Sequence, residues 1–309
     1  MRKVIGIGES ILDIIFQDNQ PQQAVPGGST FNCMISLGRC GIPAWFVSET
    51  GNDPAGQLIR NFMQKNNLST DYMAVFNDGK SPVSLAFLDE KRNAQYSFYT
   101  DYPEKRLNTD FPDIHPDDIL IFGSYFAVHP ALRTTLRKWL QHAQSQQALL
   151  YYDINFRKAH AHERIALLPD FIENFKFADI IRCSDEDLEI LFPNETIESI
   201  YKRYFQPHHQ SLIVTQGEKN IIVQTPSFQK EYWVAAITPV STIGAGDNFN
   251  AGLVYGLLKS GIYNRQISDL QENEWDKLIA LAKAFAANVC ASLENYISFD
   301  FANYLTKKE

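Results

Sequence analysis

Short apolar runs alternate with helical patterns along most of this chain, and that rhythm limits its fold more than any other feature. Residues 4–8 read as a buried strand, 30–39 as a helix, 44–49 as a strand and 54–66 as a helix. After a break the alternation resumes with a strand at 119–123, a helix at 130–144, a strand at 148–153 and a helix near 163–174. A strand at 180–182, helices between 184 and 205 and a strand at 212–215 complete it. Such a sequence of βαβ units builds a mostly parallel sheet covered by helices on both sides, an α/β fold. No long linker, low-complexity tract or internal repeat interrupts it, so residues 1–309 are expected to form one domain.

Two segments break the rhythm. Residues 11–16 follow the first strand directly, and 83–88 pair with 95–99 around a turn at Asp89-Glu90-Lys91-Arg92. These short strands read either as a small side sheet over a site or as an extension of the sheet edge. A further hairpin, 221–224 with 231–234, comes before a glycine-rich stretch.

The charge balance narrows the partners. A formal net charge of −8, without a run of lysines or arginines, argues against nucleic acid and anionic membrane as main partners and favours small soluble substrates. Cys33, Cys40, Cys183 and Cys290 are scattered without a Cys-x-x-Cys pair, the pattern of reduced thiols in a cytoplasmic protein. The apolar run after Met1-Arg2-Lys3 is too short for a signal peptide and meets an acid at Glu9. Nothing approaches the roughly twenty apolar residues of a membrane span.

Two glycine-rich stretches carry the chemistry. In the first, Val240-Ser241-Thr242-Ile243-Gly244-Ala245-Gly246-Asp247, the apolar residues that follow recur at helical spacing, so Gly244 to Asp247 is expected to open a helix. The first turn of a helix offers unpaired N–H groups and a positive dipole end, and the glycines let an anion approach the backbone. Asp247 is out of place in an anion cradle unless it takes or orients a proton; otherwise it is an ordinary first-turn acid. A helix start should lower its pKa. The second stretch, Pro26-Gly27-Gly28-Ser29-Thr30-Phe31-Asn32, leads bare backbone into a helix and reads alone as a turn and N-cap. Gly6-Ile7-Gly8-Glu9-Ser10-Ile11 fails as a dinucleotide fingerprint, because Ile11 replaces the third glycine and no helix follows. A Walker phosphate loop is also absent.

Taken together and in order, these stretches resemble the ribokinase-like sugar kinases, the PfkB family of carbohydrate kinases. The N-terminal pattern is carried by Gly27, Gly28 and Asn32, with Gly38 and the run Gly51-Asn52-Asp53-Pro54-Ala55-Gly56. The C-terminal pattern is carried by Ser241-Thr242-Ile243-Gly244-Ala245-Gly246-Asp247. Asp13, Asp153-x-Asn155-x-Arg157, Thr215-x-Gly217-Glu218-Lys219 and Ala287-Asn288 also fit. The resemblance implies a three-layer α/β/α domain with a discontinuous β lid from about 11–25 and 82–100, and ATP-dependent phosphoryl transfer to a sugar hydroxyl, usually a primary one. It makes Asp247 the base and Gly244, Ala245 and Gly246 the anion hole. Asp13, Gly27, Gly28 and Asn32 become sugar contacts, Thr215, Gly217, Ser184 and Asn288 nucleotide contacts, and Arg157 a partner for phosphate or a sugar carboxylate. Arg157 reads equally as a surface ion pair.

The chain departs from the family pattern at Ser241, where relatives carry an acid associated with a monovalent cation, and potassium dependence is left open. Ser184-Asp185-Glu186-Asp187 stands for the family's Asn-x-x-Glu; Mg2+ is expected to remain required, with Asp187 the acid nearest it. Fructose, 2-keto-3-deoxygluconate and ribose are the sugars the resemblance suggests, and relatives often form a homodimer through the lid. A nucleoside kinase of the same fold, or a non-catalytic regulator that kept the sugar and nucleotide sites, are the other readings. His160-x-His162 and His208-His209 lack further ligands at metal spacing and read as solvated surface.

Overall fold

The structure, a computed structural model, describes residues 2–88 and 94–307, so the turn at Asp89-Glu90-Lys91-Arg92 lies outside the described residues. Chain order begins with β1 (Val4–Ile7), β2 (Ile11–Gln17), β3 (Gln20–Gly27), α1 (Ser29–Arg39), β4 (Ala44–Gly51) and α2 (Pro54–Lys65). It continues with β5 (Met73–Phe76), β6 (Lys80–Leu88), β7 (Ala94–Asp101), β8 (Ile119–Gly123), α3 (Pro130–Ser145), β9 (Leu149–Asp153) and α4 (Arg164–Phe177). The last third holds β10 (Ile180–Ser184), α5 (Asp185–Leu191), α6 (Ile197–Ile200), β11 (Ser211–Thr215), β12 (Asn220–Gln224), β13 (Gln229–Trp233), α7 (Ala245–Lys259), α8 (Glu272–Cys290) and α9 (Phe299–Lys307).

Nine strands form the central sheet in the order β13-β12-β11-β10-β9-β8-β1-β4-β5. Every pairing from β11 to β5 is parallel, and β12 and β13 add an antiparallel hairpin at one edge. Parallel strands need both faces covered, which explains the unbroken apolar runs in the sequence. Alternate residues of one strand enter opposite cores. Ile119 and Ile121 of β8 pack with α1, α7 and α8, whereas Leu120 and Phe122 pack with α3 and α4. The result is three layers, with α1, α2, α7, α8 and α9 on one face and α3 to α6 on the other.

The chain crosses in opposite directions from β1, to β4 on one side and to β8 on the other. In open α/β sheets such a switch point leaves a crevice beyond the carboxyl ends of the strands. Over that end lies a second, four-stranded sheet in the order β3-β2-β6-β7, with β2 and β6 parallel. Two strands, one in each sheet, escape a hydrophobic-pattern reading. β3 contains Pro21, Pro26 and three glutamines and stays mostly exposed, as befits an edge. In the main sheet, the four-residue β5 is likewise an edge. Among the described residues no helix is long and apolar enough to cross a membrane, and all four cysteines are free and buried.

Candidate active site

The start of α7 sets the geometry. Gly244 caps the helix in the left-handed region at φ 78°, with no side-chain cap, and a Cβ there would lie 2.7 Å from the Asn295 carbonyl. The amides of Gly246 and Asp247 find no backbone acceptor among the described residues. Bare donors at a helix start and a positive dipole end are what a phosphoryl group needs. Asp247 sits among them, 6% exposed, its Oδ1 accepting from Ser29 Oγ at 2.9 Å and its Oδ2 from Asn32 Nδ2 at 2.8 Å. Its pKa moves opposite to the expectation from the helix start. Burial pushes it up, Arg157 and the Asn32 hydrogen bond push back, Asp153 adds to the rise, and Ser29 opposes it. The dipole is worth a few tenths of a kcal/mol, and loss of water outweighs it.

Facing α7 across one cavity of about 980 Å³ are residues from β2, the N-cap and first turn of α1, and β7, among them Asp13, Gly28, Ser29, Asn32 and Tyr96. Asp13 is buried and accepts from Ser84 Oγ; burial pushes its pKa up to about 7, the Ser84 hydrogen bond opposes this, and Glu9 and Asp247 add to it. Gly27 stands directly behind: a Cβ there would be 2.2 Å from Asp13 Oδ2, so the glycine makes room for the carboxylate. Gly28, at φ 125°, brings its backbone against the Glu9 carbonyl, where a Cβ would intrude to 2.2 Å. Asn32 Oδ1 is buried and without a partner among the described residues. Exposed Arg157 lies 5.9 Å from the Tyr96 ring, between the main body and the small sheet.

The far half of the cavity is lined by Ser184, Asp187, Thr215 and Gly217, which turns at φ 60°. Ser184 and Asp187 spend their polar atoms on each other. The Asp187 Oδ2 accepts from the Ser184 amide and hydroxyl, both at 2.7 Å, and Oδ1 accepts from the Phe156 amide at 2.7 Å. Ala245 and Gly27 support the site without lining the cavity, and Asn288 also lies off it, its Oδ1 accepting from the Ser298 amide at 2.8 Å.

Several lining residues carry no motif. Arg182 projects from β10 to the site, with Nη1 3.1 Å from Asp153 Oδ1 and Nη2 2.6 Å from Thr215 Oγ1. A Cβ on Gly246 would lie 2.9 Å from Arg182 Nη2, so that glycine admits the guanidinium to the start of α7. An arginine inside an apolar strand was the available signal, since a buried charge requires a partner. His160 lines the cavity rather than open surface; its ring stacks on Tyr125 at 3.7 Å and its Nδ1 lies 3.0 Å from Glu163. Glu9 accepts from Tyr102 at 2.5 Å, and Arg106 is stacked on that tyrosine and paired with buried Glu49 at 2.5 Å.

Comparison with known proteins decides the lineage. The model of the pfkB family carbohydrate kinases matches residues 1–300. The chain belongs to this family. A pfkB family carbohydrate kinase is a phosphotransferase with an alcohol group as acceptor. Similar curated proteins include a fructokinase of Rhizobium leguminosarum bv. trifolii, 24% identical over 278 residues that cover 87% of this chain and 84% of that protein. A probable fructokinase-2 of Arabidopsis thaliana is 24% identical over 302 residues, covering 92% of this chain and 88% of that one. In fold, the chain is similar to a fructokinase double mutant of Vibrio cholerae O395 with fructose, ADP and potassium ion bound. The TM-score is 0.86 at 20% identity, over 99% of this chain and 98% of that one. An aminoimidazole riboside kinase of Salmonella enterica, complexed with aminoimidazole riboside and an ATP analogue, superposes with a TM-score of 0.78 at 19% identity, over 99% of this chain and 100% of that one. These likenesses make the architecture ribokinase-like.

Proposed function

We propose that this chain transfers the γ-phosphoryl group of ATP to a primary hydroxyl of a small sugar, with fructose, 2-keto-3-deoxygluconate and ribose as the first acceptors to test. The observation that carries the reading is the Asp247 carboxylate, fixed by Ser29 and Asn32 beside the open amides of Gly246 and Asp247, in one cavity with Asp13. Phosphoryl transfer passes through a loose transition state and asks for positioning and charge neutralisation more than for covalent chemistry. In this reading Gly244, Ala245 and Gly246 form the helix end on which the migrating phosphoryl group rests. Asp247 orients the acceptor hydroxyl and takes its proton late. Burial keeps Asp247 more basic than an exposed carboxylate, which suits that task.

Asp13, Gly28 and Asn32 hold acceptor hydroxyls, with the free Asn32 Oδ1 as one open acceptor. Thr215, Gly217 and Ser184 serve the nucleotide, while Asn288, off the cavity and bonded to the Ser298 amide, is given no contact with it. Arg157 meets phosphate or a sugar carboxylate. Among the described residues no three acids, histidines or cysteines could together cage a metal. With that donor set, a magnesium ion would enter with the triphosphate, and Asp187 is the acid that would help to hold it. Neutralising the triphosphate is the chemistry the ion supplies. A homodimer through the outer face of the small sheet, where Phe87 and Tyr99 are exposed, belongs to the same reading.

A nucleoside acceptor is the second reading, supported by the fold likeness to a riboside kinase. ATP consumption measured across a panel of sugars and nucleosides tests both. Turnover with a free sugar or sugar acid supports the first and turnover with nucleosides alone the second. Nucleotide binding without turnover across the whole panel would favour a non-catalytic regulator.

A further inference from the structure

One hydroxyl stands between two buried carboxylates. Ser29 Oγ lies 2.9 Å from Asp247 Oδ1 and 3.4 Å from Asp153 Oδ2, so its single proton goes to Asp247. Asp153 is served otherwise, by Arg182 Nη1 at 3.1 Å on Oδ1 and by Asn250 Nδ2 at 2.8 Å on Oδ2. Ser29 is the first residue of α1, directly after Gly28, whose φ of 125° turns the chain so that the side chain meets α7.

We infer that Ser29 is a positioning residue that acts through Asp247, holding its carboxylate ionised and aimed while Arg182 neutralises the neighbouring Asp153. This rests on the reading of Asp247 as the base. Two buried acids close together disfavour each other's charge, and a donor or cation assigned to each relieves that repulsion. The groups facing Asp247 are Ser29, Asn32 and the Cys33 thiol from α1, Asp13 from β2, Tyr96 from β7, Asp153 from β9 and Arg157 beyond it, with Arg182 of β10 acting through Asp153. Of these, Ser29 and Asn32 donate directly to the carboxylate.

Removing a donor to the charged form raises an acid's pKa. The acid limb of kcat at saturating acceptor should therefore move to higher pH in Ser29→Ala, by about one pH unit for a charge-assisted hydrogen bond. Above the limb the variant should return to within about threefold of the parent rate, and Ser29→Thr, which keeps the hydroxyl, should restore the parent limb. A residue that only packed α1 would lower the rate equally at every pH. The carboxylate can also be followed without turnover, as the 13C NMR titration of the parent protein minus that of Asp247→Asn, which separates Asp247 from Asp13. Ser29→Ala should move that difference titration upward by the same amount. An unmoved difference titration, or a higher acceptor KM with an unshifted pH profile, would overturn the assignment. Asp247→Asn turning over at the parent rate would instead overturn the reading of Asp247 as base and leave the titration to decide on Ser29.

Discussion

Arg182 and Asp153 form a buried ion pair, Nη1 to Oδ1 at 3.1 Å, with side chains 8% and 3% exposed, beside the start of α7. The pair also reaches Thr215 through Nη2, while Arg182 Nε has no partner among the described residues. Breaking it should cost far more than removing it. Arg182→Met leaves Asp153 buried and uncompensated, and about 3–5 kcal/mol of stability should be lost in urea unfolding. Adding Asp153→Asn to the same chain should recover most of that loss. Equal instability of the single and double variants would mean the pair is not the unit described.

Gly246→Ala should damage turnover more than binding. Its new methyl would lie 2.9 Å from Arg182 Nη2 and 3.0 Å from Nη1, at the end of a side chain already held by Asp153 and Thr215. Displacing the guanidinium by a few tenths of an ångström should lower kcat by about 10²-fold, on the scale of losing one transition-state donor. Steady-state kinetics beside calorimetric nucleotide binding checks this, and a parent-like kcat would contradict it.

Asp13 sets a pH dependence of its own. Its folded pKa of about 7 lies well above the unfolded value of about 3.9. A raised carboxylate contributes stability that is fully present below the unfolded pKa and is lost as pH rises through the folded one. The melting temperature of Asp13→Asn minus that of the parent should therefore increase from pH 5 to pH 8. With Asp13 in its proposed role as an acceptor contact, acceptor KM in the parent should rise as pH falls below about 7, because a protonated carboxyl accepts hydrogen bonds less well. A melting difference that is flat with pH would show that Asp13 does not titrate there.

Much of this architecture was readable in the residues. Strands buried on both faces wrote themselves as unbroken apolar runs, and the glycines at 27, 28, 244 and 246 marked close backbone approaches. What escaped did so for physical reasons. β3 is a polar, proline-bearing edge strand with no hydrophobic period to find. Arg182 and Ser29 act through partners 29 and 218 residues away in sequence, pairings that only the fold brings together. His160 looked solvated because its stacking partner Tyr125 comes from another loop. The rise in the Asp247 pKa reversed a helix-end argument, since spacing reveals a dipole but not the depth of burial.

Magnesium removal provides a separate check. The cavity carries the carboxylates Asp13, Asp187 and Asp247 on its lining, and an uncompensated triphosphate would be repelled by them. EDTA should abolish turnover and added Mg2+ restore it, and undiminished activity in EDTA would contradict the account.

The central claim is that a buried acid beside open helix-end amides moves the proton during phosphoryl transfer. The most direct test is the kcat of Asp247→Asn with the best acceptor from the panel, measured beside its ATP affinity. The account expects kcat to fall by about 10²- to 10⁴-fold with ATP affinity within about threefold of the parent. Turnover near the parent rate would contradict it.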